Sequence, residues 1–144
     1  MGVKLLYKFV DRLRQRARVR LMTADHALGR RGEDIAHRFL QRSGMVVVDR
    51  NYRKASGGGE VDLIGWEGDV LVFVEVKSRA NDEYGAPDRA IGAEKQLSLI
   101  RAAREYARHA DVPWEKVRFD VVTVVFAKPP EVTHFRDALA SGRK

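Results

Sequence analysis

The chain has 144 residues, enough for one domain with a sizeable core, and carries 27 Lys or Arg against 20 Asp or Glu for a formal charge of +7. It contains no cysteine, which excludes disulfide staples and thiolate metal sites. No apolar run approaches the roughly 18 residues a membrane span requires, so stable insertion is not expected.

The basic surplus lies entirely at the start: residues 1–31 hold nine Lys or Arg and two Asp, whereas residues 32–144 hold eighteen of each sign. VKLLYKFV is interrupted by Lys8 and is too weak for a signal-peptide core, which points to a cytoplasmic protein. Residues 1–24 read as a basic arm in which Leu6, Val10, Leu13, Ala17 and Leu21 recur at helical spacing. Arg12, Arg14, Arg16 and Arg18 suit binding to a phosphate backbone, with Arg30 and Arg31 continuing the charge. Attachment to an anionic membrane surface and a merely solvated extension are the competing readings.

Residues 25–136 read as one α/β domain. A helix is predicted over Asp25–Ser43, burying Ala27 or Leu28, Ile35, Ala36, Phe39 and Leu40, with Gly44 as its stop. Glu33 taken alone reads as a solvent-facing acid, and His37 as a surface residue without zinc-ligand spacing around it. A strand is predicted from Met45 to Arg53, then a flexible connection, Lys54–Gly59. Its glycines are no phosphate-cradling loop, because they precede a strand and not a helix, and they read as a pliant loop beside a substrate groove.

Val61–Trp66 and Val70–Val76 flank Glu67-Gly68-Asp69, the pattern of a hairpin. With an even loop centred between Gly68 and Asp69, Asp62 faces Glu75 and Glu60 faces Lys77. One face then carries Glu60, Asp62, Ile64 and Trp66 with Leu71, Phe73, Glu75 and Lys77. The other carries only Val61, Leu63, Val70, Val72, Val74 and Val76, as expected of a hairpin covered on both sides. An odd loop would misplace Glu75 unless a bulge restored it. Three carboxylates within about 5 to 7 Å repel one another and raise each other's pKa. Lys77 balances one charge; a divalent cation would balance the rest, and Mg²⁺ is held by one or two carboxylates plus waters and substrate phosphates.

Ser78–Ala86 reads as a loop and Pro87-Asp88 as a helix start, the helix running to about His109. Lys95 taken alone is a solvated helix lysine. VRFDVVTVVF (117–126) and 132–135 read as strands, and residues 137–144 as a flexible tail. Asp120, inside the first of these strands, is expected to be paired by Arg118 and not to be catalytic.

Asp62, twelve intervening residues and then Glu75-Val76-Lys77 resemble the Asp…Glu-x-Lys signature of the PD-(D/E)XK nuclease superfamily. GEVDLI…VFVEVKSR, with GRRGEDIAHRFL before it and YGAPDRAIGAEKQ after it, resembles the YraN family of Holliday-junction-resolvase-like proteins. The resemblance implies a restriction-endonuclease-like αβββαβ core, a central mixed sheet flanked by helices. It implies Mg²⁺ or Mn²⁺ held by Asp62 and Glu75, with Glu33 leaning over the sheet to assist. Lys77 would orient water or stabilise the phosphate, Glu60 and Gln96 would support the acids from behind, and Lys95 would meet nucleic acid. Some relatives carry Tyr four residues after the Gln; here that position is Ile100.

Two functions follow. One is a metal-dependent endonuclease hydrolysing DNA, structured or branched if the likeness to resolvases extends that far, where a two-fold substrate would imply a homodimer. The alternative is a non-cleaving nucleic-acid-binding module on the same fold. Three acids facing a phosphate backbone argue against mere binding.

Overall fold

The computed structural model describes residues 26–81 and 89–139. Residues 26–42 form helix α1. Gly32, Ala36 and Leu40, four apart, make its buried stripe, with Ile35 and Phe39 half-buried beside it. Gly44 ends the helix at φ 98, where the Met45 N–H reaches back to the Leu40 carbonyl at 3.0 Å. The strands are β1 (Val46–Arg53), β2 (Glu60–Glu67), β3 (Val70–Arg79), β4 (Val117–Val125) and β5 (Glu131–Phe135); helix α2 (Ala93–His109) and a short 3-10 turn (Trp114–Lys116) lie between β3 and β4.

The five strands form one sheet in the order β1-β2-β3-β4-β5. All neighbours are antiparallel except β3 and β4, which run parallel because α2 returns the chain to the same end of the sheet. This is the expected αβββαβ order with β5 added, a mixed sheet compatible with a restriction-endonuclease-like core. The hairpin β2–β3 lies inside the sheet and is covered on both sides. Beneath α2, Ile64, Leu71 and Phe73 pack on Leu99, Ala102 and Ala103. Beneath α1, Leu63, Val72 and Val74 pack on Ala36 and Leu40.

Four details differ from the sequence reading. Ser78 and Arg79 belong to β3 and not to a loop, since the parallel ladder to β4 runs on to Arg79↔Val125. Helix α2 begins only at Ala93, after the extended N-cap Gly92, and residues 89–92 are not helical. Leu139 is 4% exposed and packed in the α2-side core, and the Ala138 N–H bonds to the Phe119 carbonyl, so the chain is anchored beyond Asp137.

The fourth difference bears on the site. Val61 packs beneath α2, on the opposite side from Leu63. Its partner strand explains why: Asn51, between the pairs Arg50↔Leu63 and Tyr52↔Val61, adopts φ 52. A left-handed residue breaks the alternation of a strand. Arg50 therefore turns to α1, where it meets Glu33 and Asp34, while Tyr52 turns to α2 and stacks edge-on with Tyr106 at 5.0 Å. The irregularity lies opposite Asp62.

Candidate active site

From the turn upward, β2 and β3 pair as expected, from Glu67↔Val70 to Leu63↔Val74. The next contact passes through a side chain: Asp62 Oδ2 accepts the Val76 N–H at 2.8 Å. Asp62, 8% exposed, is thereby tied to the residue after Glu75. From the first turn of α2, Lys95 Nζ stands 3.5 Å from Glu75 Oε1. The other oxygen of Glu75, Oε2, is buried with no hydrogen-bond partner.

Glu33 comes from α1. Its turn of helix lies close on β3 because residue 32 is glycine; a Cβ there would collide with Ser78 Oγ and come within 3.0 Å of Ser78 Cβ. Arg50 Nη2 is 3.5 Å from Glu33 Oε2 but poorly aligned, so this oxygen too is buried without a hydrogen bond.

The electrostatics follow from this crowding. Burial, then the charge of Asp62, push Glu75 up to about 8, with Lys95 opposing. Burial also raises Asp62, against the Val76 N–H and the charge of Lys95. Glu33 is raised by burial and by the charge of Asp62, which sets it in the same electrostatic neighbourhood. Among the described residues no three Asp, Glu, His or Cys side chains close into a ready-made metal cage. The assembled unit is the Asp62–Glu75 pair, with Glu33 adjoining and Lys95 as cation.

The remaining sequence-derived residues are distributed as follows. Lys77 Nζ donates to the Ala90 carbonyl at 2.8 Å, in the segment leading to α2. Glu60 pairs with Arg53 in the β1–β2 ladder. Gln96 Nε2 donates to the Ile91 carbonyl at 2.8 Å and closes the start of α2. Arg30 and Arg31 are exposed on α1, and the Arg31 guanidinium lies 5.3 Å from the centre of the Phe126 ring. Arg12, Arg14, Arg16 and Arg18 fall outside the described residues. His37 is half-buried at the surface, and burial lowers its pKa.

Asp120 is paired as expected. It is fully buried, bound by Arg118 Nε and Nη2 at 2.8 Å each, with His134 Nε2 at 2.7 Å and the Asp137 N–H at 3.0 Å.

Where the sequence reading expected a loop beside a substrate groove, the structure has a cleft of about 710 Å³ between the glycines of residues 57–59 and the start of α2. Arg53, Lys54, Glu60, Glu94, Lys95 and Ser98 line it. Arg53-Lys54, two residues ahead of the glycine run, brings basic side chains to its lining. The loop is built and not merely pliant: the Lys54 N–H bonds to the Gly59 carbonyl at 2.8 Å and the Gly57 N–H to the Lys54 carbonyl at 2.9 Å. Glu105 Oε2 holds its approach, accepting from Tyr52 Oη at 2.8 Å and the Ala55 N–H at 3.3 Å.

Comparison with known proteins identifies the family. Residues 32–124, which include Glu33, Asp62, Glu75, Lys77 and Lys95, match the model of "Uncharacterised protein family UPF0102". A UPF0102 protein of Solibacter usitatus is 47% identical over 136 residues, covering 94% of this chain and 98% of its own. One from Rhodococcus opacus is 46% identical over 119 residues, covering 81% and 99%, and one from Dictyoglomus turgidum 34% over 108 residues, covering 75% and 90%. The chain belongs to the UPF0102 family, the nuclease-like YraN group that its GRRGED, GEVDLI and VFVEVKSR segments resemble.

Proposed function

We propose that this protein is a metal-dependent endonuclease that hydrolyses DNA phosphodiester bonds, with structured or branched DNA as the substrate class suggested by the family likeness. The observation that carries the reading is a crowd of acids from three elements, Glu33 of α1, Asp62 of β2 and Glu75 of β3, in which burial and the charge of Asp62 raise the pKa of both glutamates and one oxygen of each glutamate is buried. Buried acceptors are ordinarily satisfied, and an unpaired one is costly. A divalent ion is the species that fits them, because all the donors are hard oxygens and Mg²⁺ or Mn²⁺ needs few protein ligands.

Asp62 and Glu75 would hold the ion and Glu33 would assist. When bound, it would supply Lewis acidity and a more acidic water. The Val76 N–H fixes one oxygen of Asp62 and so sets the direction of the carboxylate. Lys77 extends from β3 two residues beyond Glu75; by exchanging the Ala90 carbonyl for a phosphate oxygen it would offset charge developing on the phosphate.

One observation favours the second reading, a module that binds nucleic acid without cutting it: the Lys77 ammonium donates to the Ala90 carbonyl, a backbone contact in the segment leading to α2. Incubation with Mg²⁺ or Mn²⁺ and single-stranded, duplex, flapped and four-way DNAs separates the two. Cleavage that Asp62→Ala and Lys77→Ala both abolish supports the nuclease. Binding without cleavage supports the module, and cleavage persisting in both variants refutes this site.

A further inference from the structure

Lys95 reaches Glu75 from α2, yet its side chain is 42% exposed and also lines the cleft. Two environments thus compete for one ammonium. On one side is Glu75, whose Oε2 remains unpaired even with Lys95 3.5 Å from Oε1. On the other is a groove lined by Arg53 and Lys54, by the carboxylates of Glu60 and Glu94, and by the glycines of residues 57–59, whose lack of side chains leaves room for a strand. A compact ammonium on a four-carbon stem can serve either place in turn.

We infer that Lys95 is the resident counter-ion of Glu75 in the metal-free protein and turns into the cleft on metal binding, where it takes a backbone phosphate of the nucleic-acid strand. This rests on the cation-site reading above. Lys95 thereby acts as a positioning residue that couples the two sites. While no divalent ion is held, it stands at the edge of the cleft with its ammonium drawn toward Glu75; once released, it joins Arg53 and Lys54 and strengthens the grip on phosphate. Metal and strand would then bind with positive coupling, because each stabilises the same position of one side chain.

The test is a Mn²⁺ titration by calorimetry on the full chain without nucleic acid, with Lys95→Gln, Lys95→Arg, Arg53→Gln and Glu75→Gln. Lys95→Gln is expected to tighten Mn²⁺ roughly tenfold, a change well above experimental scatter in an association constant. Lys95→Arg should stay near wild type. Arg53→Gln, which removes an equal charge from the cleft but none from Glu75, should change Mn²⁺ affinity by less than about twofold. A second arm measures a fluorescent single-stranded oligonucleotide by anisotropy, in EDTA and in Ca²⁺, the latter replacing Mg²⁺ to avoid turnover, with inorganic phosphate as competitor. Lys95→Gln should weaken binding in Ca²⁺ and leave it unchanged in EDTA, and phosphate should compete only weakly if a strand is the ligand.

Unchanged Mn²⁺ affinity in Lys95→Gln, or a tightening that Arg53→Gln reproduces, overturns the inference while leaving the cation site intact. Equal weakening of oligonucleotide binding with and without Ca²⁺ also overturns it, since Lys95 would then face the cleft throughout. Absence of Mn²⁺ binding by the wild type, or binding that Glu75→Gln leaves untouched, removes both the inference and the site beneath it.

Discussion

Asp62 Oδ2 accepts the backbone N–H of Val76 at 2.8 Å, so the acid of one hairpin strand is held by the amide next to the acid of the other. The two carboxyls are therefore positioned by the same few atoms that pair the strands. Side-chain freedom that would let Asp62 and Glu75 move apart is spent on strand pairing, and their repulsion is built into the fold.

This geometry predicts a difference between two substitutions. Asp62→Asn keeps an acceptor for Val76 and relieves repulsion with Glu75, so its metal-free stability should match or exceed that of the wild type. Asp62→Ala leaves the Val76 N–H unpaired at a site 8% exposed, which should cost about 1–3 kcal/mol. Both should lose stabilisation by Mn²⁺. Urea unfolding with and without Mn²⁺ measures this, and an Asn variant as unstable as the Ala variant would show that the hydrogen bond contributes little.

The second prediction concerns pH. Glu75 sits at about 8, raised by burial and by Asp62 from an ordinary 4.5. Between these values the unfolded chain has lost a proton that the folded protein keeps, so stability of the metal-free protein is greatest below 4.5, falls as pH rises through the window and levels off above 8. Asp62 is raised as well and acts in the same direction. The fall should be on the order of a few kcal/mol, since each tenfold change in proton affinity is worth about 1.4 kcal/mol and the two carboxyls share the effect between them. Glu75→Gln should flatten it. Mn²⁺ should bind more tightly as pH approaches 8, because it displaces the same proton. Thermal melts from pH 5 to 9 would contradict this if wild type and Glu75→Gln ran parallel.

The hairpin was legible in the sequence because a two-residue turn and a period of two fix which residues face each other, and from Leu63↔Val74 to Glu67↔Val70 the observed pairs are the expected ones. What could not be read was the break in alternation opposite Asp62, since it originates in a single backbone angle at Asn51 on another strand. The placement of Lys95 on Glu75 was likewise hidden, being set by how α2 crosses the sheet and not by spacing along the chain. Gln96 illustrates a local need that spacing does not reveal: its amide donates to the Ile91 carbonyl at the start of α2.

The third prediction separates structural from functional acids. Asp120 is fully buried; burial works to raise its pKa, but the bonds from Arg118 and His134 outweigh it and hold the carboxyl below its ordinary range. Arg118→Ala would leave a buried charge with only His134 and one amide, and should cost about 3–5 kcal/mol. The increment in melting temperature produced by Mn²⁺ should be unchanged. Loss of that increment in a still-folded Arg118→Ala protein would extend the cation site to Asp120.

The last prediction tests whether the glycine run shapes the cleft or merely spans it. A Cβ at Gly59 would meet the Ser98 carbonyl oxygen at 2.8 Å and the Ala102 nitrogen at 3.0 Å, both backbone atoms of α2 that cannot rotate away. Gly59→Ala must therefore push the loop off the helix, at a cost of about 1–3 kcal/mol. At Gly58 the space is open, and only the φ of 77 resists a side chain, so Gly58→Ala should cost about 1 kcal/mol. If the cleft carries a nucleic-acid strand, Gly59→Ala should weaken oligonucleotide binding several-fold more than Gly58→Ala at equal folded fraction, because only the former moves Arg53 and Lys54 relative to Lys95. Equal affinities in the two variants would mean that the loop's contact with α2 does not set the width of the groove.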